Sequence, residues 1–373
     1  MKRNIWIGIG VVVVVALAIV FFVTQTKKEQ GEIKIGVILP LTGPLAPQGE
    51  RNYKGMQIAV EEINQNKPIE VELIVQDSQT NPQAGVSAFN KLIRAEKVAA
   101  VTGGVGSSIV MACAPIAEQE KVVFLSSGAT SPLITEAGEN IFRLRLSGKL
   151  EVEAMAEEAI KTYKISKLAV IFVNTDYGAG NFEVFKKKYE SVGGSIGYSE
   201  GYEQGTSDFR TVIAKLRQSH YDGVYLIGHS LEMAHFLRQA KELGFQDRIF
   251  STIGIESPEV IKIAGNAAEG VIYTMQKFTP KTLKVAKSFS EKYQKKYGEV
   301  PDLFSALGYD AIRVLYEVIA TSSGSSEDIK KGLYSLKKFP GAIGPISFDK
   351  NGDIIAQVML KTIKNGQFVE VGE

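Results

Sequence analysis

Val101-Thr102-Gly103-Gly104-Val105-Gly106-Ser107-Ser108 stands between an apolar run, Val98 to Val101, and a stretch of helical character that Ser107 opens. Small residues at a strand-to-helix turn let the backbone approach a ligand closely. The first N–H groups of the helix have no acceptor within it and suit an anion. Taken alone, the stretch reads equally as a tight βα turn, so its surroundings decide. On its N-terminal side, Ile33 to Leu39 reads as a buried strand and is followed by a loop with Gly43, Pro44 and Pro47. Met56, Ala59, Val60 and Ile63 then fall at i, i+3, i+4 and i+7, the spacing of an amphipathic helix. Val71 to Val75 is the next strand, and Val86, Phe89 and Ile93 mark another helix. On the C-terminal side, Val122 to Leu125 is a fourth strand. Alternating strands and helices with short loops predict an α/β fold with a mostly parallel sheet covered on both faces.

The pattern then restarts, which predicts a second doubly wound lobe. Leu168 to Val173 is a strand, Phe182 to Tyr189 a helix, and Gly193-Gly194 a break. Ser207 caps a helix carrying Val212 and Leu216, Gly223 to Ile227 is a strand, and Met233, Phe236, Leu237 and Ala240 share a helix face before the strand Ile249 to Ile253. Two long helices follow, Leu283 to Tyr297 and Leu303 to Thr321, then a polar break at Ser322 to Ser326. Ile346 to Phe348, Ile354 to Ile363 and Phe368 to Val371, with turn residues between them, read as antiparallel strands. At 373 residues the chain exceeds what one core usually serves.

Composition excludes several function classes. Lys and Arg number 43 and Asp and Glu 41, a formal charge of +2, so there is no concentrated basic field for nucleic acid. Lys186-Lys187-Lys188 reads as a solvated helix face. The single cysteine, Cys113, can form neither an intrachain disulfide nor a cysteine zinc site, and it reads as a small core residue. His220, His229 and His235 lack metal-ligand spacing, so no metal is expected. No cofactor is expected either. The first strand-to-helix turn holds Pro44 and Pro47 in place of a Gly-x-Gly-x-x-Gly, and no acid follows the strand after the glycine-rich turn. With no triad, no paired catalytic carboxylates and no Walker-type loop, an enzyme is not expected.

The N-terminus stands apart from this pattern. After Lys2 and Arg3, Ile5 to Val23 is an uninterrupted apolar run of 19 residues, about 28 Å as a helix, which can span a hydrocarbon core. No Ala-x-Ala exit follows, and no cysteine that could carry a lipid. The reading favoured is an uncleaved N-terminal transmembrane helix with an extracytoplasmic C-terminal part. The basic pair at the extreme N-terminus supports that orientation, while Lys27 and Lys28 oppose it. The alternative is a cleaved signal and a secreted or periplasmic protein. Thr24 to Gly31 reads as a tether, so residues 1–31 lie outside the fold.

Further stretches, in chain order, carry a resemblance. Leu39-Pro-Leu-Thr-Gly-Pro44, Gly55-Met-Gln-Ile-Ala59, Asp77-Ser78 with Asn81-Pro82, and the glycine-rich turn come first. Ser126-Ser-Gly-Ala-Thr-Ser-Pro132, Asp176-Tyr177-Gly178, Asp208-Phe209, Ile263-Ala-Gly-Asn-Ala-Ala-Glu-Gly270 and Tyr309-Asp310-Ala311 follow. Together they resemble the branched-chain amino-acid (Leu/Ile/Val)-binding family, type I periplasmic solute-binding proteins of ABC transporters, over essentially Ile33 to Val371. The resemblance implies two doubly wound parallel-sheet lobes joined by a three-strand hinge, with crossings near Leu146 to Lys149, Met275 to Phe278 and Ala342 to Ile346. Lobe 1 is then 33–147 plus 278–343, and lobe 2 is 148–277 plus 344–373.

The resemblance also implies a ligand-binding set. Ser107 matches the serine that holds a ligand carboxylate at a helix start. Ala129 and Thr130 match the segment holding the same group by backbone and hydroxyl, and Tyr177 matches a second-lobe tyrosine that covers the ligand. Three positions depart from the family. His229 replaces a second tyrosine, Gln48 replaces a first-loop aromatic, and Ile253 stands where the family has a glutamate for the ligand's ammonium. Glu256, three residues on, takes the glutamate's role if the loop shifts. The implied function is an extracytoplasmic solute-binding protein of an ABC importer. It captures a small carboxylate-bearing ligand, an amino acid of branched-chain type, by lobe closure and delivers it to an ABC permease in the membrane. The alternatives are a sensor subunit for a partner membrane protein, and a receptor for a non-amino organic acid or amide.

Overall fold

The computed structural model describes residues 32–218, 220–280 and 282–372. The transmembrane helix and tether expected for 1–31 lie outside these. Among the described residues no helix is long and apolar enough to cross a membrane.

The first half builds a five-stranded, wholly parallel sheet. Its strands are β1 (Glu32–Leu39), β2 (Glu70–Asp77), β3 (Ala100–Gly103), β4 (Phe124–Ser126) and β5 (Ile141–Arg143), in the order β2-β1-β3-β4-β5. Between them run α1 (Ala46–Asn66), α2 (Pro82–Asn90) and α3 (Ser107–Gln119). Ile35, Val37, Ile38 and Leu39 on β1 are fully buried, as a strand covered on both faces requires. Cys113 is buried in the core under α3, where loss of hydration pushes its thiol up to about 12.

The chain leaves this sheet after β5 and enters α4 (Gly148–Lys161). It then forms β6 (Lys167–Val173), α5 (Asp176–Ser191), β7 (Ser195–Tyr202), α6 (Arg210–Arg217), β8 (Gly223–Ile227), α7 (Ser230–Glu242), β9 (Arg248–Thr252), α8 (Pro258–Ala264) and β10 (Ile272–Gln276). These strands make the parallel part of a seven-stranded sheet. Ser207 does not cap α6, as the sequence suggested. Gln239 on α7 holds that loop, its Nε2 donating to the Ser207 carbonyl at 2.7 Å and its Oε1 accepting the Phe209 N–H at 2.7 Å. The helix therefore starts at Arg210.

After β10 the chain returns to the first sheet. Helix α9 (Lys284–Tyr297) precedes α10 (Leu303–Ala320), which packs along α1, and α11 (Ser326–Ser335) follows. A Cβ on Gly55 of α1 would lie 1.9 Å from the Ser305 carbonyl oxygen, and one on Gly308 of α10 would lie 2.0 Å from that of Asn52. Only glycines allow the two helices to approach so closely. The hairpin β11 (Phe339–Gly341) and β12 (Gly344–Ile346) comes next. Asp310 holds its turn, accepting N–H groups of Ala342 (2.9 Å) and Ile343 (2.8 Å). Residues 342–346, the expected place of a third crossing, thus belong to this hairpin, and the chain stays beside β5 for longer. The Arg143 N–H donates to the Gly352 carbonyl at 3.0 Å, and the Ile354 N–H to that of Arg143 at 3.1 Å. The chain then passes Lys277, whose N–H donates to the Gln357 carbonyl at 2.7 Å. It closes the second sheet with antiparallel β13 (Val358–Lys364) and β14 (Gln367–Glu370).

A buried ion pair secures this return. Arg143 is fully buried and grips Asp353 along one guanidinium edge, with Nε donating to Oδ1 and Nη2 to Oδ2, the latter at 2.8 Å. Its Nη1 donates to the Ser131 carbonyl at 2.8 Å. Removing one partner strands a buried charge, whereas replacing both by apolar groups does not. Asp353→Leu is therefore expected to lower stability by about 3–5 kcal/mol in urea unfolding. The double change Arg143→Met with Asp353→Leu should recover most of it. Equal loss in the single and double variants would contradict this account.

Candidate ligand-binding cleft

In both sheets the strand order reverses direction, between β1 and β3 in the first and between β6 and β8 in the second. Loops leaving the carboxyl ends of such strand pairs diverge to opposite faces and open a crevice. Here the two crevices face each other. Leu45 and Gln48 after β1 and Ser107 after β3 meet Tyr177 after β6 and His229 after β8 around one cleft. Thr130, Arg145, Ile253, Gly254 and Phe304 complete its wall with a few smaller residues.

The glycine-rich turn gives the first side its shape. Gly103 and Gly104 have φ of 97° and 56°, and a Cβ on Gly103 would lie 2.2 Å from the Ile38 carbonyl oxygen. The turn thus delivers Ser107 as the first residue of α3, with the open N–H groups of the helix start beside it. Ser107 is buried, and its Oγ accepts the N–H groups of Thr130 (3.3 Å) and Ser131 (3.1 Å). With both acceptor positions used, its hydroxyl proton is free to point at a ligand. Ala129 is buried between Gly128 and Thr130, and its N–H donates to Ser126 Oγ at 3.2 Å. Gly128 and Thr130, rather than Ala129, form the wall at this point.

The opposite side is aromatic. The Tyr177 ring stacks on that of His229, with centroids 5.2 Å apart and planes at 21°, and its hydroxyl donates to Thr252 Oγ1 at 2.7 Å. Burial drives the His229 pKa below the usual imidazole range, against the pull of Glu232, so the ring faces the cleft uncharged. Burial also raises the Tyr177 phenol, which stays protonated.

Contacts between the two sides show that the cleft is closed. Gln48 Nε2 donates to Ser230 Oγ at 2.9 Å, and Arg51 on α1 pairs with Glu259 on α8 at 3.3 Å. The Asp176 N–H donates to Ser108 Oγ at 3.3 Å, and Ser131 Oγ donates to the Asp176 carbonyl at 2.8 Å.

The structure therefore brings Ser107, Thr130, Tyr177 and His229 to one wall, with Ala129 directly behind it. Glu256 is a correction. It is absent from the cleft wall, its Oε1 accepting from Lys361 Nζ at 2.8 Å and its Oε2 from the Tyr273 hydroxyl at 2.5 Å. These partners on β13 and β10 hold it off the cleft wall, and the loop shift that would have substituted it for the missing glutamate does not occur. The charged residue of the wall was not foreseen from the sequence. Arg145, fully buried where the chain leaves the first sheet, is among the described residues the sole Asp, Glu, Lys or Arg lining the cleft. Its Nη1 donates to Glu151 Oε1 at 2.6 Å and to Gln276 Oε1 at 3.3 Å. Burial raises the Glu151 carboxyl, opposed by Arg145. The Leu146 N–H donates to the same Gln276 oxygen at 2.7 Å, tying two of the inter-sheet passages together.

Known proteins share this arrangement. The chain is 29% identical over 329 residues to a leucine-, isoleucine-, valine-, threonine- and alanine-binding protein of Pseudomonas aeruginosa, covering 86% of this chain and 87% of that one. A leucine-binding protein from Thermotoga maritima superimposes with a TM-score of 0.85 at 34% identity, covering 91% of this chain and 97% of the other. A branched-chain amino-acid transporter substrate-binding protein of Streptococcus pneumoniae, solved with isoleucine, gives 0.84 at 25% identity, covering 90% and 97%. A profile of the periplasmic binding protein family matches residues 32–367, from the first residue of β1 to the first of β14. The fold, the facing crevices and the sequence agree, and the chain belongs to the periplasmic binding protein family.

Proposed function

We infer that the protein is the extracytoplasmic solute-binding component of an ABC importer, taking up a small carboxylate-bearing solute. Two lobes close on the solute, and the closed form is what a permease recognises. The lobes are 33–147 with 278–343 and 148–277 with 344–373, the segment 344–354 lying along the first. A solute favours closure only by contacting both sides, which Ser107 and Thr130 on one and Tyr177 and His229 on the other provide for. The observation that carries the reading is the chemistry of the wall. Hydroxyls and a helix N-terminus face the cleft, no carboxylate among the described residues lines it, and Arg145 supplies its fixed charge.

That chemistry favours an acid without a buried ammonium. With Glu256 held elsewhere, Ile253 and the uncharged His229 offer no anion to an α-amino group, and an unpaired buried cation is costly. The competing reading, a branched-chain amino acid, rests on what the relatives bind. Calorimetric titration with leucine, valine, phenylalanine and their 2-keto analogues separates the two. Tight binding of keto acids, with weak or undetectable binding of the amino acids, is expected; the opposite ranking would restore the amino-acid reading. A good solute should also raise stability by about 4 kcal/mol at a thousandfold excess over its Kd.

The hydroxyl contacts are separable. Thr130→Val should weaken binding of the acid roughly 10- to 150-fold, the effect of one charge-assisted hydrogen bond, with little change in stability. Ser107→Ala should weaken binding similarly and also destabilise the fold by about 1–3 kcal/mol, because two buried N–H groups lose their acceptor. Unchanged affinity in folded Thr130→Val and Ser107→Ala proteins would place the acid group elsewhere.

Membrane attachment through the apolar run 5–23 is likewise our reading, supported by its length and the lack of a cleavage site. Mass spectrometry of the native protein should find the run intact in the membrane fraction. A mature N-terminus near Thr26 to Glu32 in a soluble fraction would overturn it.

A further inference from the structure

Two arginines stand two residues apart where the chain leaves the first sheet, both with fully buried side chains. Arg143 uses its Nε–Nη2 edge, the edge that matches the two oxygens of a carboxylate, to hold Asp353. Arg145 spends only Nη1, on Glu151 and Gln276. Its Nε and Nη2 are buried and have no hydrogen-bond partner among the described residues. The Gln276 Nε2 next to it is a third buried donor without an acceptor. Buried donors of this kind are rare in folded proteins because each forfeits its hydration. Arg145 is also among the residues that line the cleft.

We propose that this edge receives an oxyanion of the solute, which is therefore a small dicarboxylate, one acid group on Ser107 and Thr130 at the start of α3 and the other on Arg145. The proposal rests on the solute-binding reading above and specifies the ligand within it. A monocarboxylate on the hydroxyl side leaves the guanidinium edge unmatched. A second carboxylate fills it with two parallel charge-assisted hydrogen bonds. An α-ammonium in its place would face the guanidinium with no carboxylate on the cleft wall to offset it.

The test is calorimetric titration of the full-length protein with succinate, glutarate and malonate, with butyrate and 4-methyl-2-oxopentanoate as monocarboxylates, and with leucine. The wild type should bind one dicarboxylate at least tenfold tighter than every monocarboxylate. Arg145→Met should remove that preference, the dicarboxylate losing roughly 10- to 100-fold more affinity than any monocarboxylate. Arg145→Lys, which keeps the charge and the pairing to Glu151 but not the fork, should lose part of it and serves if Arg145→Met does not fold. Tight binding of a monocarboxylate or of leucine without a dicarboxylate preference overturns the proposal and leaves the solute-binding reading standing. A dicarboxylate preference that survives in Arg145→Lys and Arg145→Met also overturns it. Absence of binding to any of these acids overturns both.

Discussion

Charge balance at the junction of the two sheets is the constraint on which the rest depends. Where the chain leaves β5 it buries two guanidinium groups within three residues, Arg143 and Arg145. Removing charges from water is expensive, and only matched partners offset the cost. Asp353 and Glu151 supply them, one from the C-terminal segment and one from α4. The first pair draws residues 348–354 alongside β5, and so fixes where the last segment passes to the second sheet. The second pair and Gln276 tie the exit from β5 to the end of β10. The same electrostatic requirement that joins the sheets also places a cation at the base of the cleft.

Around that base the fold does the positioning. Each sheet reverses its strand order once, and the loops at the two reversals face each other. Short βα turns then set each side chain at an element start, where backbone geometry is least free to vary. Ser107 begins α3, Tyr177 lies in the first turn of α5, and His229 precedes α7. The cleft is thus assembled from helix starts, which favour negative charge, with aromatic rings to exclude water.

Much of this was legible in the sequence, for identifiable reasons. Continuous apolar runs such as 35–39 and 223–227 read as strands covered on both sides, and their alternation with amphipathic segments imposed parallel sheets. Residues sitting directly after such strands, Ser107 and Tyr177 among them, inherit their place from the strand, and both stand on the cleft wall. Glu256 was misjudged because its partners, Tyr273 and Lys361, lie 17 and 105 residues away, and no local pattern reveals which of two poles a loop carboxylate turns toward. Arg145 was passed over because an arginine between strands reads as solvated, and its burial depends on Glu151 and Gln276 meeting it in space. Asp310 had been grouped with the family motif, and its work is structural: it closes the turn between β11 and β12.

A crystal structure of the protein with its tightest-binding acid would test the central claim, that the cleft is built for anionic groups and offers no anion to an ammonium. The account expects one carboxylate within hydrogen-bond distance of the Ser107 and Thr130 hydroxyls, and no ligand nitrogen buried against Ile253 and His229. A bound amino acid whose ammonium occupies that position, with the carboxylate away from the start of α3, would contradict it.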